Sequence, residues 1–131
     1  MGDYLPKHMP GDSITTRASA AVTGSQRVAV SGSGTTAPAT AATKAKYVGV
    51  AATDAAVNAD YTMYGRGAVH ISLAAGAITA GDQITSADAG KVATIAAAAG
   101  AVAGDINNAR AVDGIALTTA ADGAAVEWMA I

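Results

Sequence analysis

The chain contains no cysteine and no phenylalanine, and its other aromatic side chains are limited to one tryptophan and four tyrosines. Without cysteine there can be no disulfide framework, no thiolate nucleophile and no cysteine metal site. With so few aromatic side chains, the core must be built from valine, isoleucine and alanine, which suits closely spaced sheets better than a roomy ligand pocket. The length of 131 residues predicts one domain of modest size, which oligomerisation would stabilise further.

Charge is also scarce, because charged residues make up only 14% of the chain and the formal net charge is −2. Nucleic-acid binding needs clustered Lys and Arg to neutralise phosphates, and the nearest approach to a cluster is Lys44 with Lys46. No stretch reaches the roughly 18 apolar residues of a membrane helix, and Met1–Asp12 lacks the basic-then-apolar order of a signal peptide. We therefore expect no nucleic-acid partner, no membrane partner, and synthesis in the cytoplasm.

The residues that could carry chemistry do not form a recognisable site. His8 and His70 have no HExxH motif or close cluster of acidic residues, so no metal site is predicted. Ser31-Gly32-Ser33-Gly34 lacks the spacing of a phosphate-binding loop and is predicted to be a hairpin turn. The sequence therefore predicts no enzyme and no cofactor. A small hydrolase or isomerase with residues distant in sequence stays an alternative, because catalytic triads need not be local.

Short β-type runs separated by small turn residues fill the chain from Ser13 onward. The clearest alternation places Val69, Ile71 and Leu73 on one face of a strand, with His70 on the other face, at the surface or at an interface. Residues Thr35–Thr43 are predicted to be a loop. The predicted strands are Ser13–Arg17, Arg27–Ser31, Tyr47–Ala52, Tyr61–Tyr64, Val69–Leu73, Gln83–Thr85, Lys91–Ile95, Val112–Leu117 and Val126–Ile131.

Two stretches of the chain are similar to later stretches, which indicates an internal duplication. Val22-Thr23-Gly24-Ser25-Gln26-Arg27-Val28 aligns with Ile78-Thr79-Ala80-Gly81-Asp82-Gln83-Ile84, and Gly49-Val50-Ala51-Ala52 aligns with Gly114-Ile115-Ala116-Leu117. The repeats would span about 13–65 and 68–131. The larger second offset places an insertion near Ala96–Ala103, which its alanines predict to be a helix of one or two turns, with an ordered loop as the alternative.

The sequence thus predicts an all-β fold, a small barrel or sandwich over residues 13–131, with one short alanine-rich helix and an extended N-terminal arm over residues 1–12. The arm has no strand or helix periodicity, and its prolines favour extended backbone. Its apolar side chains suit docking onto another chain, while the alternative is a frayed terminus. The candidate contact residues are Tyr4, Leu5, Pro6, Met9 and Pro10.

The segment Pro10-Gly11-Asp12-Ser13-Ile14-Thr15, followed by Ala20-Ala21-Val22-Thr23-Gly24-Ser25-Gln26-Arg27-Val28, resembles the opening of the phage capsid cement, or head-decoration, family. Val48-Gly49-Val50-Ala51, Ile78-Thr79-Ala80-Gly81-Asp82 and Gly114-Ile115-Ala116-Leu117 are similar to the family's repeated pattern of a glycine turn and a short strand. The alanine-rich insertion departs from that pattern.

This resemblance implies a compact β domain that binds the major capsid protein on the outer surface of the head and stabilises the mature shell, without catalysis or cofactor. It also implies a homo-oligomer. A trimer is expected, because a protein that touches several capsid subunits at once gains avidity, and a dimer is the alternative. A carbohydrate-binding or adhesin-like β module on a phage or bacterial surface is the competing function, although the chain offers few exposed aromatics for stacking on sugars.

Overall fold

The computed structural model describes residues 2–9, 11–95, 103 and 111–131. Within these ranges the chain forms ten β-strands and two short 3-10 helices, Lys44–Lys46 and Asp88–Gly90. The strands are β1 Ser13–Ala18, β2 Arg27–Gly32, β3 Thr35–Pro38, β4 Tyr47–Ala51, β5 Asp60–Tyr64, β6 Val69–Leu73, β7 Gln83–Ser86, β8 Val92–Thr94, β9 Gly114–Ala116 and β10 Ala125–Ala130. No helix in these ranges is long and apolar enough to cross a membrane.

The first five strands close into a barrel in the order β1-β3-β2-β4-β5. β1 runs parallel to β3, and the other pairs are antiparallel. Small side chains allow the strands to close around a narrow core, in which the hydroxyl groups of Tyr61 and Thr36 are hydrogen-bonded. The buried apolar residues of this core are Ala18, Val22, Val28, Ala51, Tyr61 and Met63.

The last five strands form a second sheet in the order β6-β10-β9-β7-β8. Its two edges are linked by one parallel bridge between Ala74 and Val92. In β10 the buried residues Val126, Trp128 and Ala130 alternate with exposed ones, as expected for a strand with one face on a core. Tyr47 and Val50 of the barrel belong to the same core cluster as Trp128 and its neighbours, so the two halves share a core.

The two halves have the same topology, residue for residue. Ile14 of β1 pairs with Met63 of β5, and the equivalent pair in the second half is His70 of β6 with Trp128 of β10. The first residue of the pair is offset by 56 positions (14 to 70) and the second by 65 positions (63 to 128). The antiparallel bridge between residues 22 and 55 recurs with the same two offsets between residues 78 and 120. The parallel Ala18–Thr36 pairing recurs as the bridge between residues 74 and 92. One unit of structure therefore occurs twice in the chain.

The all-β prediction, with a small barrel, is confirmed, and all nine predicted strands are present. The loop predicted for Thr35–Thr43 is wrong in its first half, because Thr35–Pro38 forms β3. Its small residues gave no alternating pattern, and pairing with both β1 and β2 makes it a strand. The short helix predicted for Ala96–Ala103 falls, apart from Ala103, outside the described residues, and the boundary of the arm at residue 12 stays a prediction.

Candidate functional site

The N-terminal arm presents its apolar side chains to solvent. Residues 2–9 form no helix or strand, and every one of them is exposed. Tyr4 and Leu5 are each 83% exposed and Met9 is 56% exposed, while Pro6 lies between them and is also exposed. The structure thus places these four predicted contact residues on one solvent-facing segment. Pro10 lies outside the described residues.

A tight turn anchors the arm to the start of β1. The Met9 backbone N–H donates to Asp12 Oδ2 at 2.8 Å, and the Asp12 backbone N–H donates to the Met9 carbonyl at 3.0 Å. Gly11 adopts φ +88°, which favours glycine. Beside this turn a surface groove runs between His8 and Met9 on one side and residues of β1 and β4 on the other, Ile14 and Val48 among them. The arm is therefore held at its base and free of hydrogen bonds in the described residues before Met9.

A buried ion pair lies where the two halves meet. The Arg27 side chain of β2 is fully buried, and its Nη2 contacts Oδ1 of Asp113, just before β9. The Arg27 guanidinium carbon lies 4.0 Å from the centroid of the Tyr47 ring and 4.5 Å from that of the Trp128 ring. Stacking on two aromatic rings stabilises a cation that is removed from water. Arg27 Nε and Nη1 have no hydrogen-bond partner within the described part of the chain.

Burial dominates the electrostatics of this ion pair. Burial raises the pKa of the Asp113 carboxyl, while the nearby Arg27 charge lowers it. It also raises the pKa of the Tyr47 hydroxyl to about 12, so Tyr47 stays neutral at physiological pH. The Arg27–Asp113 pair therefore links the two halves and is closed to solvent.

The structure contradicts the predicted surface position of His70. His70 is buried, its Nε2–H donates to the Gly65 carbonyl at 3.2 Å, and its ring centroid lies 5.0 Å from that of Trp128. Trp128 is also buried, and its Nε1–H donates to Ser72 Oγ at 3.1 Å, which in turn donates to the Ser25 carbonyl at 3.1 Å. Because β10 must bury Trp128, the paired residues of β6 that face inward are the polar ones.

As a consequence, the apolar side of β6 faces outward. Val69, Ile71 and Leu73 are 55%, 56% and 47% exposed. The outward residues of β9 and β10 extend this surface, together with Leu117, which follows β9 and donates its backbone N–H to the Glu127 carbonyl. Glu127 is its one charged member among the described residues. We call this surface the apolar face. Its apolar members are Val69, Ile71, Leu73, Ile115, Leu117 and Met129.

Sequence reasoning missed the apolar face because it assumed that the apolar side of β6 faces the core. A signal was present in the alternation of Glu127, Trp128 and Met129, since tryptophan has the largest apolar surface to bury in that strand.

In the described ranges, no three His, Asp or Glu side chains lie close enough together to bind a metal ion.

No protein-family model and no curated protein matches this chain. Among solved structures it is similar to the head fiber gp8.5 N base in bacteriophage phi29, with 22% sequence identity and a TM-score of 0.63. The alignment covers 92% of this chain and 93% of that chain. At this level of identity the likeness shows a shared fold.

Proposed function

We propose that this chain is a structural protein of a tailed-phage head that decorates the outer surface of the shell by binding the major capsid protein. The observation that carries the proposal is the match in fold, nearly end to end in both chains, with the base of a phage head fiber. The sequence resemblance to head-decoration proteins, through Pro10-Gly11-Asp12-Ser13-Ile14-Thr15 and the repeated glycine turns, supports the same role independently.

We further propose that the arm contributes to attachment. Tyr4, Leu5 and Met9 expose apolar surface that the domain does not cover. An extended segment with unpaired backbone groups can add to the edge of a partner's sheet, where it gains hydrogen bonds as well as apolar contact. Pro6 lowers the conformational entropy that is lost when the arm becomes ordered.

Co-sedimentation with purified heads that lack this protein tests both proposals. We expect the intact chain to sediment with the heads, and we expect deletion of Met1–Met9 to weaken binding at least tenfold without changing the melting temperature. Replacing Tyr4→Ser and Leu5→Ser together should weaken binding as well, because it removes apolar contact and keeps the arm. Asp3→Ser, a polar change in the same segment, is the matched control and should bind normally.

The outcomes separate the two proposals. If the intact chain does not bind heads, the decoration role is wrong. If the deletion variant binds as tightly as the intact chain, only the role of the arm is wrong.

A decoration protein should also stabilise the shell, because a ligand that binds only the assembled state favours that state by mass action. We expect heads without this protein to assemble normally and to rupture at a lower temperature than decorated heads. Release of packaged DNA during a temperature ramp measures this, and equal rupture temperatures would leave a decoration role without stabilisation.

A further inference from the structure

The duplicated fold provides an internal comparison for the apolar face. In the barrel, Thr15 of β1 pairs with Thr62 of β5. The equivalent pair in the second sheet is Ile71 of β6 with Glu127 of β10. The other outward residues of β1 are Ser13 and Arg17, and they correspond to Val69 and Leu73. Arg17 forms an exposed ion pair with Asp60, at 3.2 Å.

The outward positions of β1 are therefore polar, and the equivalent positions of β6 are apolar. On the neighbouring strands both halves are apolar, because Ile115 and Met129 correspond to the buried Val50 and to the exposed Tyr64. The fold itself does not require apolar side chains at these positions, because the barrel forms with serine, threonine and arginine in β1. The second half already has a buried core on the opposite side of its sheet. Soluble proteins rarely leave several large apolar side chains exposed together unless a partner covers them. The contrast between the halves thus identifies a binding surface.

We propose that the apolar face is the contact between copies of this chain. Five of its six apolar side chains are 43–56% exposed, and Ile115 is partly buried. Taking about 80 Å² for each of the five, they expose roughly 400 Å². A specific interface buries about 800 Å² on each partner, so the face together with its polar rim has the size of one interface. This inference concerns self-association and does not depend on binding to the capsid.

The composition of the face favours a second copy over a capsid protein. Interfaces that form and dissociate are about as apolar as the rest of a protein surface, whereas homo-oligomer interfaces are more apolar and poor in charge. Glu127 is the single charge among the described outward residues of β6, β9 and β10. Copies of one chain are synthesised together and cover one another at once, while a face that waits for a shell would stay exposed and favour aggregation.

The test compares one substitution at equivalent positions of the two halves. Ile71→Glu places a charge in the apolar face, and Thr15→Glu places the same charge on the equivalent polar face of the barrel. We expect the intact chain to have a solution mass that is a multiple of its 12.6 kDa, with a trimer as the expected state. Ile71→Glu should weaken self-association at least about a hundredfold, and Thr15→Glu should leave it unchanged.

A second variant tests the apolar face with substitutions that the fold is known to accept. It combines Val69→Ser, Ile71→Thr and Leu73→Arg, so that β6 carries the outward residues that β1 has at the equivalent positions of the barrel. We expect this variant to be a monomer by sedimentation, with the circular dichroism and the buried-tryptophan fluorescence of the intact chain.

Three results would overturn the proposal. The first is an intact chain that stays monomeric at concentrations of hundreds of micromolar. The second is equal loss of self-association in Ile71→Glu and Thr15→Glu. The third is an oligomer that survives in the β6 variant while that variant no longer binds heads, which would assign the apolar face to the capsid.

Discussion

His70 shows how one large side chain decides which way a whole strand faces. Trp128 is fully buried, and its cross-strand partner His70 therefore also faces the core. The buried imidazole has its pKa lowered, first by loss of hydration and further by the nearby Arg27 charge, although its hydrogen bond to Gly65 acts in the opposite direction. His70 is thus neutral in the folded protein at pH values where the unfolded chain begins to bind a proton.

This predicts a loss of stability on mild acidification. As pH falls below the ordinary histidine pKa of 6.5, the unfolded state takes up the proton first, so the free energy of unfolding decreases. The decrease can reach about 1.4 kcal/mol per pH unit until His70 itself protonates. Urea unfolding at pH 7.5 and pH 5.5 measures it. His70→Gln, which keeps a donor for the Gly65 carbonyl and does not titrate, should show a smaller difference between the two pH values.

The intact chain must be compared with His70→Gln because other groups also change protonation as the pH falls. Burial raises the pKa of Asp113, which makes folding more favourable as that carboxyl protonates. Hydrogen bonds from Thr79 and Thr94 lower the pKa of Asp82, which has the opposite effect. These contributions are common to both chains, so an identical pH dependence in the intact chain and in His70→Gln would contradict the assignment.

At the scale of the elements, β4 and β9 each need a glycine at the same place in the repeat. A Cβ on Gly49 would lie 2.5 Å from the Tyr64 carbonyl oxygen. A Cβ on Gly114, 65 residues later, would lie 2.6 Å from Trp128 Cε3 and 2.8 Å from the Met129 carbonyl oxygen. The neighbouring strand therefore crosses each glycine too closely for any side chain.

We predict that Gly114→Ala lowers the free energy of unfolding by about 1–3 kcal/mol, because the added methyl group forces Trp128 or β10 to move. Gly65→Ala is the matched control. Its Cβ would meet nothing closer than the Val48 carbonyl oxygen at 3.8 Å, so a change within about 0.5 kcal/mol is expected. Urea denaturation at pH 7 measures both variants, and equal effects would show that close approach at Gly114 is unimportant.

The elements were the part of the structure that sequence could predict best. Val, Ile and Thr alternation between glycine turns located nine strands, because short strands bounded by glycines leave a local signal. β3 could not be found in this way, since Thr35–Pro38 becomes a strand through pairing with distant residues. The outward direction of Val69, Ile71 and Leu73 was equally hidden, because it depends on which strand pairs with β6.

At the scale of the whole molecule, the two halves form one packed body. Arg27 from the barrel and Asp113 from the second half form a buried pair, and Tyr47 from the barrel packs against Trp128 with ring centroids 6.1 Å apart. The repeat could be predicted from glycine and threonine matches, since each half keeps its own turns. The ion pair could not, because Arg27 and Asp113 are far apart in the chain and match no motif.

We predict that Arg27→Met destabilises the chain by about 3–5 kcal/mol, since it leaves the Asp113 carboxylate buried without its counter-ion. Combining Arg27→Met with Asp113→Leu should restore most of the loss, because an apolar pair needs no charge compensation. Tryptophan fluorescence, which reports on Trp128, and far-ultraviolet circular dichroism should give coincident unfolding curves. A loss below about 1 kcal/mol for Arg27→Met would show that the ion pair contributes little to stability. Two separate unfolding transitions would show that the halves are stable independently.

The β2–β3 hairpin also makes the chain a candidate carrier for foreign peptides. Its tip is formed by the exposed residues Ser33 and Gly34, with Gly34 at φ +72° and open space around it. The tip borders Thr15 and Arg17 on the polar face of the barrel, and insertions are best tolerated at such exposed tips. An epitope spliced between Ser33 and Gly34 would stand in water on the half that carries no apolar face, and a decorated head would present it in many copies, as a particulate vaccine does.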